Sequence, residues 1–183
     1  LGHGRAAGLI HGVGLALSRC QVGRRVRIVV VRHGDAVGED QAGSDRDRWL
    51  SARGREACRG LARLLREQGV NPEVVVASPY PRATQTAELL ADGLAYLGPI
   101  ETWRALEPGA SPRVAAQRLG ELVVGTVVVV SHEPTVSNLA AFLVDRPGFS
   151  TFRTAQACVF DEGRPVFTAR ADVMAVSTLF VDG

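Results

Sequence analysis

Three almost uninterrupted β-branched runs constrain this chain more than anything else in it. Val26–Val31, Val74–Ala77 and Thr126–Val130 are each nearly continuous in valine or isoleucine. A strand with one face in water alternates apolar and polar residues. A run without alternation is expected where both faces are covered, as in the central strands of a parallel sheet. Parallel strands need long crossovers, and the segments between these runs are long enough to supply them as helices.

Helical spacing is present in those segments. Ser51–Gln68 puts Ala57, Leu61, Leu64 and Leu65 on one face and leaves Arg53, Arg55, Arg59, Arg63 and Arg66 mostly outside, before Gly69 and Pro72 stop it. A second helix is expected from Pro81, suited to a first turn, to about Leu94, with Ala83, Ala87, Leu90 and Leu94 spaced for burial. A third opens at Ser111-Pro112 and carries Val114, Leu119, Leu122 and Val123. A fourth begins around Pro134 with Val136, Leu139, Ala140 and Leu143. Residues 155–160 and 165–169 read as two strands about a Glu162-Gly163 turn, expected as a hairpin at the sheet edge. Strand and helix alternate, so the expectation is one α/β domain over residues 26–183, with a mostly parallel sheet.

Composition narrows the function classes. A chain of 183 residues, 46% hydrophobic, can bury a core. No apolar run approaches the roughly 20 residues that cross a bilayer. Leu9–Leu17 is short and broken by His11, Gly12 and Gly14, so residues 1–25 are expected to be a flexible leader outside the fold. The leader holds Arg5, Arg19, Arg24 and Arg25 with no acidic residue, and the remainder has 17 Arg against 19 acids. The pI of about 8.7 therefore gives no argument for nucleic-acid binding by the folded part. Cys20, Cys58 and Cys158 are odd in number and far apart, which points to a reducing cytoplasm, with Cys58 and Cys158 as small core residues. Glu39, Asp40, Asp45 and Asp47 suggest a mobile acidic loop, and their spacing is not that of a calcium loop, so no metal is expected.

The residues just past each valine run carry the chemistry. The first run leads into Arg32-His33-Gly34-Asp35, the second into Ser78-Pro79-Tyr80-Pro81-Arg82, the third into Ser131-His132-Glu133-Pro134. Ligands of open α/β sheets bind beyond the carboxyl ends of the strands. Arg32, His33, Arg82 and His132 are thus expected at one sheet edge. The other two histidines, His3 and His11, lie in the leader. Guanidinium groups match phosphate oxygens with paired hydrogen bonds and keep their charge. A neutral imidazole, held neutral by neighbouring Arg charges, can attack phosphorus to give a phosphohistidine that water hydrolyses. Either histidine alone would be read as a core residue. Together with the arginines they point to phosphoryl transfer.

Four segments in order strengthen this. Val31-Arg32-His33-Gly34-Asp35-Ala36 resembles the opening motif of the histidine phosphatase superfamily, and in particular its short bacterial phosphohistidine phosphatases of the SixA type. Leu50-Ser51-Ala52-Arg53-Gly54-Arg55-Glu56-Ala57, the stretch from Val76 to Thr86, and Val130-Ser131-His132-Glu133-Pro134 continue the likeness, which covers about residues 26–160. The resemblance implies a three-layer α/β/α sandwich, phosphoglycerate mutase-like, with His33 as the phosphorylated nucleophile. Arg32, Arg82 and His132 would form the phosphate pocket, and no cofactor is implied. For the general acid it leaves three options open: Glu107 in Leu106-Glu107-Pro108-Gly109, Asp35, or none. A protonated phosphohistidine leaves as neutral imidazole and needs no acid, whereas serine or sugar phosphates do. The expected partner is a phosphorylated protein bearing phosphohistidine. The alternatives are a small phosphorylated metabolite, or a phosphate-binding regulatory module without turnover. Neither nucleic acid nor membrane is an expected partner, and the chain is expected to be a monomer.

Overall fold

A computed structural model describes residues 26–122 and 124–179. The expected leader with Cys20, and Val123, lie outside the described residues. In chain order the elements are β1 (Arg27–Arg32), α1 (Glu39–Ala42), α2 (Ala52–Glu67), β2 (Val74–Ala77), α3 (Pro81–Gly93), β3 (Ile100–Thr102), a 3-10 turn (Arg104–Leu106), α4 (Pro112–Gly120), β4 (Thr126–Ser131), α5 (Thr135–Leu143), β5 (Gln156–Asp161), β6 (Arg164–Arg170) and β7 (Ala175–Thr178). They form one seven-stranded sheet in the order β3-β2-β4-β1-β5-β6-β7. β3, β2, β4 and β1 are mutually parallel, while β5, β6 and β7 continue with antiparallel pairings, so five of the seven strands run in the same direction.

The valine runs are the sheet's centre for the reason their composition suggests. Alternate residues of β1 point to opposite faces and both faces are covered. Val29 and Val31 join Val75, Val128 and Val130 under α2 and α3, which contribute Leu61, Leu65, Ala87 and Leu90. Ile28 and Val30 join Val76, Val127 and Val129 under α4 and α5, which contribute Leu119, Val136, Leu139 and Leu143. The result is a three-layer sandwich. Each fully buried valine contributes about 1.5–3 kcal/mol, so the three central strands are the main apolar anchor. Cys58 and Cys158 are buried free thiols within it.

Local signals explain the helix ends. Ser51 caps α2, its Oγ accepting from the Gly54 N–H at 3.0 Å while donating to the Asp35 carboxylate at 2.6 Å. Gly69 ends the helix in the left-handed region at φ 70°. Pro81 and Pro112 open α3 and α4.

Four expectations change. The 155–169 hairpin is not at an edge: β5 pairs directly with β1, and the edges are β3 and β7. Neither edge strand is visible in the sequence, each being short or largely exposed and without a valine run. α4 ends at Gly120, so Leu122 packs on the core from beyond the helix, and Val114 is half exposed. The expected acidic loop contains α1 and is stitched down: Arg48 Nε donates to Val37 O at 2.6 Å, and Arg48 Nη1 pairs with Asp45 at 3.1 Å. No helix among the described residues is long and apolar enough to cross a membrane.

Two glycines set the distance between α2 and the turn after β1. A Cβ on Gly54 would sit 2.0 Å from the Asp35 carbonyl oxygen, and one on Gly34 would sit 2.6 Å from Cys58 Sγ and 2.9 Å from the Gly54 carbonyl oxygen. Backbone cannot yield cheaply at such distances. Gly54→Ala is expected to destabilise the fold by about 3 kcal/mol, read as a fall in the urea midpoint with unchanged slope.

Candidate active site

The parallel register of β1 with β4 puts Arg32 opposite Ser131, so the next residues on each strand, His33 and His132, emerge side by side. Their rings meet edge to face with centroids 4.9 Å apart. The His33 N–H donates to Ser131 O, and Ala155 N–H donates to His33 O, which continues the sheet past the strand end and fixes the histidine backbone on both sides. Gly34 N–H donates to Thr86 Oγ1, which itself donates to Arg82 O at the start of α3. Arg82 is thereby tied to the same turn from the neighbouring strand–helix junction.

The His33 ring has one defined tautomer. Nδ1 lies 2.6 Å from the Gly34 carbonyl oxygen, which can only accept, so Nδ1 carries the hydrogen. Nε2 then holds the free lone pair and receives the Arg82 Nε–H at 3.3 Å. His33 is only 8% exposed. Burial first, then the Arg82, Arg32 and Arg48 charges, push its pKa down to about 4 despite the opposing Gly34 hydrogen bond. At neutral pH it is an uncharged imidazole whose Nε2 lone pair faces Arg82.

His132 is 2% exposed and its pKa is lowered further, by burial and by His33, Arg82 and Arg32. Tyr80 meets its ring edge-on at 5.2 Å, and the Arg82 and Arg46 guanidinium carbons lie 5.1 and 5.2 Å from the Tyr80 centroid. Both His132 nitrogens and Arg32 Nε are buried without a protein hydrogen-bond partner. Buried polar groups are rarely left so; an oxyanion among them would accept from Arg32 Nε–H and from the one N–H of a neutral His132. Arg32 is held by Nη1 donating to Phe152 O at 2.6 Å. Glu133 ties the same segment down, accepting from Phe152 N–H at 2.6 Å and from Ser137 Oγ at 2.7 Å.

These side chains line an open cleft of about 370 Å³. It brings together Arg32, His33, Arg82 and His132. Asp35 lines it too, but Ser51, and against burial also Arg53 at 2.9 Å, hold its carboxyl below the usual carboxylate range. Asp35 is therefore ionised at neutral pH and has no proton to give. Glu107 is not brought in: the cleft wall there is Pro108, while the Glu107 carbonyl accepts from Thr135 Oγ1. Asp45 and Arg48 also line the cleft, and sequence reasoning picked out neither as a site residue. Asp45 accepts from Arg82 at both its carbonyl and its carboxylate, the latter at 3.0 Å, and from Arg48. The available signal was their i, i+3 spacing just ahead of Leu50-Ser51, which is also what a solvated loop looks like. Among the described residues no group of His, Cys, Asp or Glu is arranged to hold a metal ion.

A neutral, directed histidine set among arginines and a second histidine is the arrangement of a phosphatase whose nucleophile is histidine, and this chain belongs to the histidine phosphatase superfamily. Residues 28–108 match the family model for branch 1 of that superfamily. More narrowly, the chain is similar to phosphohistidine phosphatase SixA of Escherichia coli (strain K12), 32% identical over 148 residues, or 78% of this chain and 91% of that protein. A solved structure of the protein histidine phosphatase SixA complexed with tungstate matches with a TM-score of 0.70 and 28% identity, covering 85% of this chain and 95% of that one. The phosphoserine phosphatase of Entamoeba histolytica, in complex with 3-phosphoglyceric acid, shares the fold at 14% identity and a TM-score of 0.60, covering 77% and 94%.

The buried neutral histidine makes stability depend on pH with a definite sign. Unfolded, His33 protonates below about 6.5; folded, it resists until about 4. Its contribution is complete above pH 6.5 and is lost as pH falls toward 4, a change of about 3 kcal/mol. Urea unfolding between pH 7 and 4 is expected to show this slope added to that of His132, and His33→Asn is expected to remove about half of it.

Proposed function

We propose that the protein dephosphorylates phosphohistidine carried on another protein, with His33 as the nucleophile. The observation that carries this reading is that, among the described residues lining the cleft, no carboxylic acid is free to donate a proton beside a well-directed histidine. Asp35 and Asp45 are held ionised by their hydroxyl and guanidinium partners, both Glu133 oxygens accept from Phe152 N–H and Ser137 Oγ, and Glu107 does not line the cleft. An alkoxide leaving group would have to depart unaided. An imidazole would not.

Transfer from phosphohistidine is chemically balanced at both ends. His33 Nε2 attacks phosphorus, the new N–P bond forms as the substrate's N–P bond breaks, and the electron pair stays with the departing imidazole. If that imidazole enters protonated on its other nitrogen, it leaves neutral, while His33 keeps its Nδ1–H on Gly34 O. Water then attacks the phosphoenzyme, both its protons end on the released phosphate, and His33 returns to its starting form. The Arg82 N–H that rests on Nε2 moves its donation to a phosphoryl oxygen. Arg32 Nε and His132 supply the remaining contacts, so most of the acceleration comes from positioning and charge. The similar SixA structure was solved in complex with tungstate, a tetrahedral oxyanion like phosphate.

The protein substrate is supported by access. Between α3 and α4 the chain has only β3 and a 3-10 turn, and His33 stands at the floor of an open cleft. A side chain projecting from a folded partner can reach it.

Phosphate release from a phosphohistidine-bearing protein, a phosphoserine peptide and a sugar phosphate tests the reading. The wild type is expected to favour the phosphohistidine protein, and His33→Ala to lose at least about 10³-fold on it. A preference for the esters would replace this reading with a metabolite phosphatase.

A further inference from the structure

The cleft carries an unusual charge for an anion site. Arg32, Arg48 and Arg82 line it, but so do Asp35, Asp45 and Glu133, three cations against three carboxylates with both histidines neutral. A dianionic phosphate ester gains no net attraction from such a lining, and a carboxylate near the phosphoryl site repels it. Two of the three carboxylates have other work. Asp35 holds Ser51 and Arg53, and Glu133 holds Ser137 and the Phe152 N–H.

Asp45 differs. Its side chain is 51% exposed, so it stands at the mouth of the cleft. One oxygen accepts from Arg82 Nη2 at 3.0 Å and the other from Arg48 Nη1 at 3.1 Å. A carboxylate has about four acceptor positions, so two remain for a further donor. Displacement by His33 is in line: the nucleophile lies on the cleft floor, and the leaving group departs on the opposite side, toward the mouth. Of the cleft's Asp35, Asp45, Arg48 and Arg82, Asp45 has the most exposed side chain, which sets its charge on the departing side.

We propose that Asp45 is a specificity residue that reads the leaving group, selecting phosphoryl donors whose departing atom belongs to a cationic, nitrogen-bearing group, that is, protonated phosphoramidates such as phosphohistidine. The inference rests on the phosphohistidine reading above and deepens it. In protonated phosphohistidine the ring nitrogen not bonded to phosphorus carries a hydrogen. Asp45 accepts a hydrogen bond from that N–H before and after transfer, without taking the proton. The P–N bond breaks, its pair remains on the ring, and the imidazole leaves neutral as His33 Nε2 takes the phosphoryl group. The same carboxylate disfavours leaving groups that develop negative charge, such as a phenolate. Its grip on Arg82 also aims the guanidinium whose Nε reaches His33, so removing the side chain has two effects that must be separated.

A ratio of substrates separates them. kcat/KM is measured on N-phosphohistidine and on p-nitrophenyl phosphate with wild type, Asp45→Asn, Asp45→Glu and Asp45→Ala. The amide of Asp45→Asn keeps an oxygen for Arg82 and loses the charge. The ratio of phosphohistidine to p-nitrophenyl phosphate activity is expected to fall about tenfold in Asp45→Asn and Asp45→Ala, and to recover toward wild type in Asp45→Glu. A ratio equal in all four proteins, with both activities falling together, would overturn the leaving-group role and leave Asp45 as a clamp on Arg82 alone. A wild type that hydrolyses the nitrophenyl ester and ignores phosphohistidine would overturn the phosphohistidine reading itself, and this inference with it. A ratio shift refers both activities to one protein preparation, so partial misfolding of a variant cannot produce it.

Discussion

The register between β1 and β4 is the constraint on which the site depends. Six consecutive pairs, Arg27 with Thr126 through Arg32 with Ser131, lock the two central strands. A slip of one residue would separate the two histidines. The packing that makes the sheet stable is thus the same packing that sets His33 against His132. The energetic weight lies in the buried valines, and the chemistry lies one residue beyond them.

Around that pair, the remaining parts act on the His33 ring. Gly34 supplies the carbonyl that fixes the proton on Nδ1, and the Thr86 hydroxyl links its N–H to the turn of Arg82. The Gly54 approach to Asp35 and the Ser51 cap hold the turn from the other side. These contacts lie far apart in sequence. They converge because the strand ends of a parallel sheet share one edge and the helices after them start there. Burying a histidine among three arginines costs stability at low pH, and the same burial keeps it unprotonated at neutral pH.

The layered α/β architecture, the central strands and the convergence of Arg32, His33, Arg82 and His132 were legible because each rests on a strong local pattern. Valine without alternation marks a doubly covered strand, and a histidine right after one is conspicuous. The place of the 155–169 hairpin was not legible, since alternation identifies strands without naming their neighbours, and β5 inserts beside β1 through a connection that carries no signal. The roles of Asp35 and Asp45 were also hidden. A carboxylate's part depends on its partners, here Ser51 and Arg53 for one and Arg82 and Arg48 for the other. Glu107 was singled out by its place in the chain, but only the folded turn after Arg104–Leu106 reveals that Pro108 forms the cleft wall.

The proposed reaction turns on one event, the attack of a neutral His33 on phosphorus through Nε2. Brief exposure to a phosphodonor, an alkaline quench and peptide mass spectrometry test it directly. Acid-labile, base-stable phosphate is expected on the peptide containing His33, absent from His33→Ala and present when His132 is replaced by Asn, though formed more slowly. Phosphate found on another residue, or turnover by His33→Ala at the wild-type rate, would contradict it.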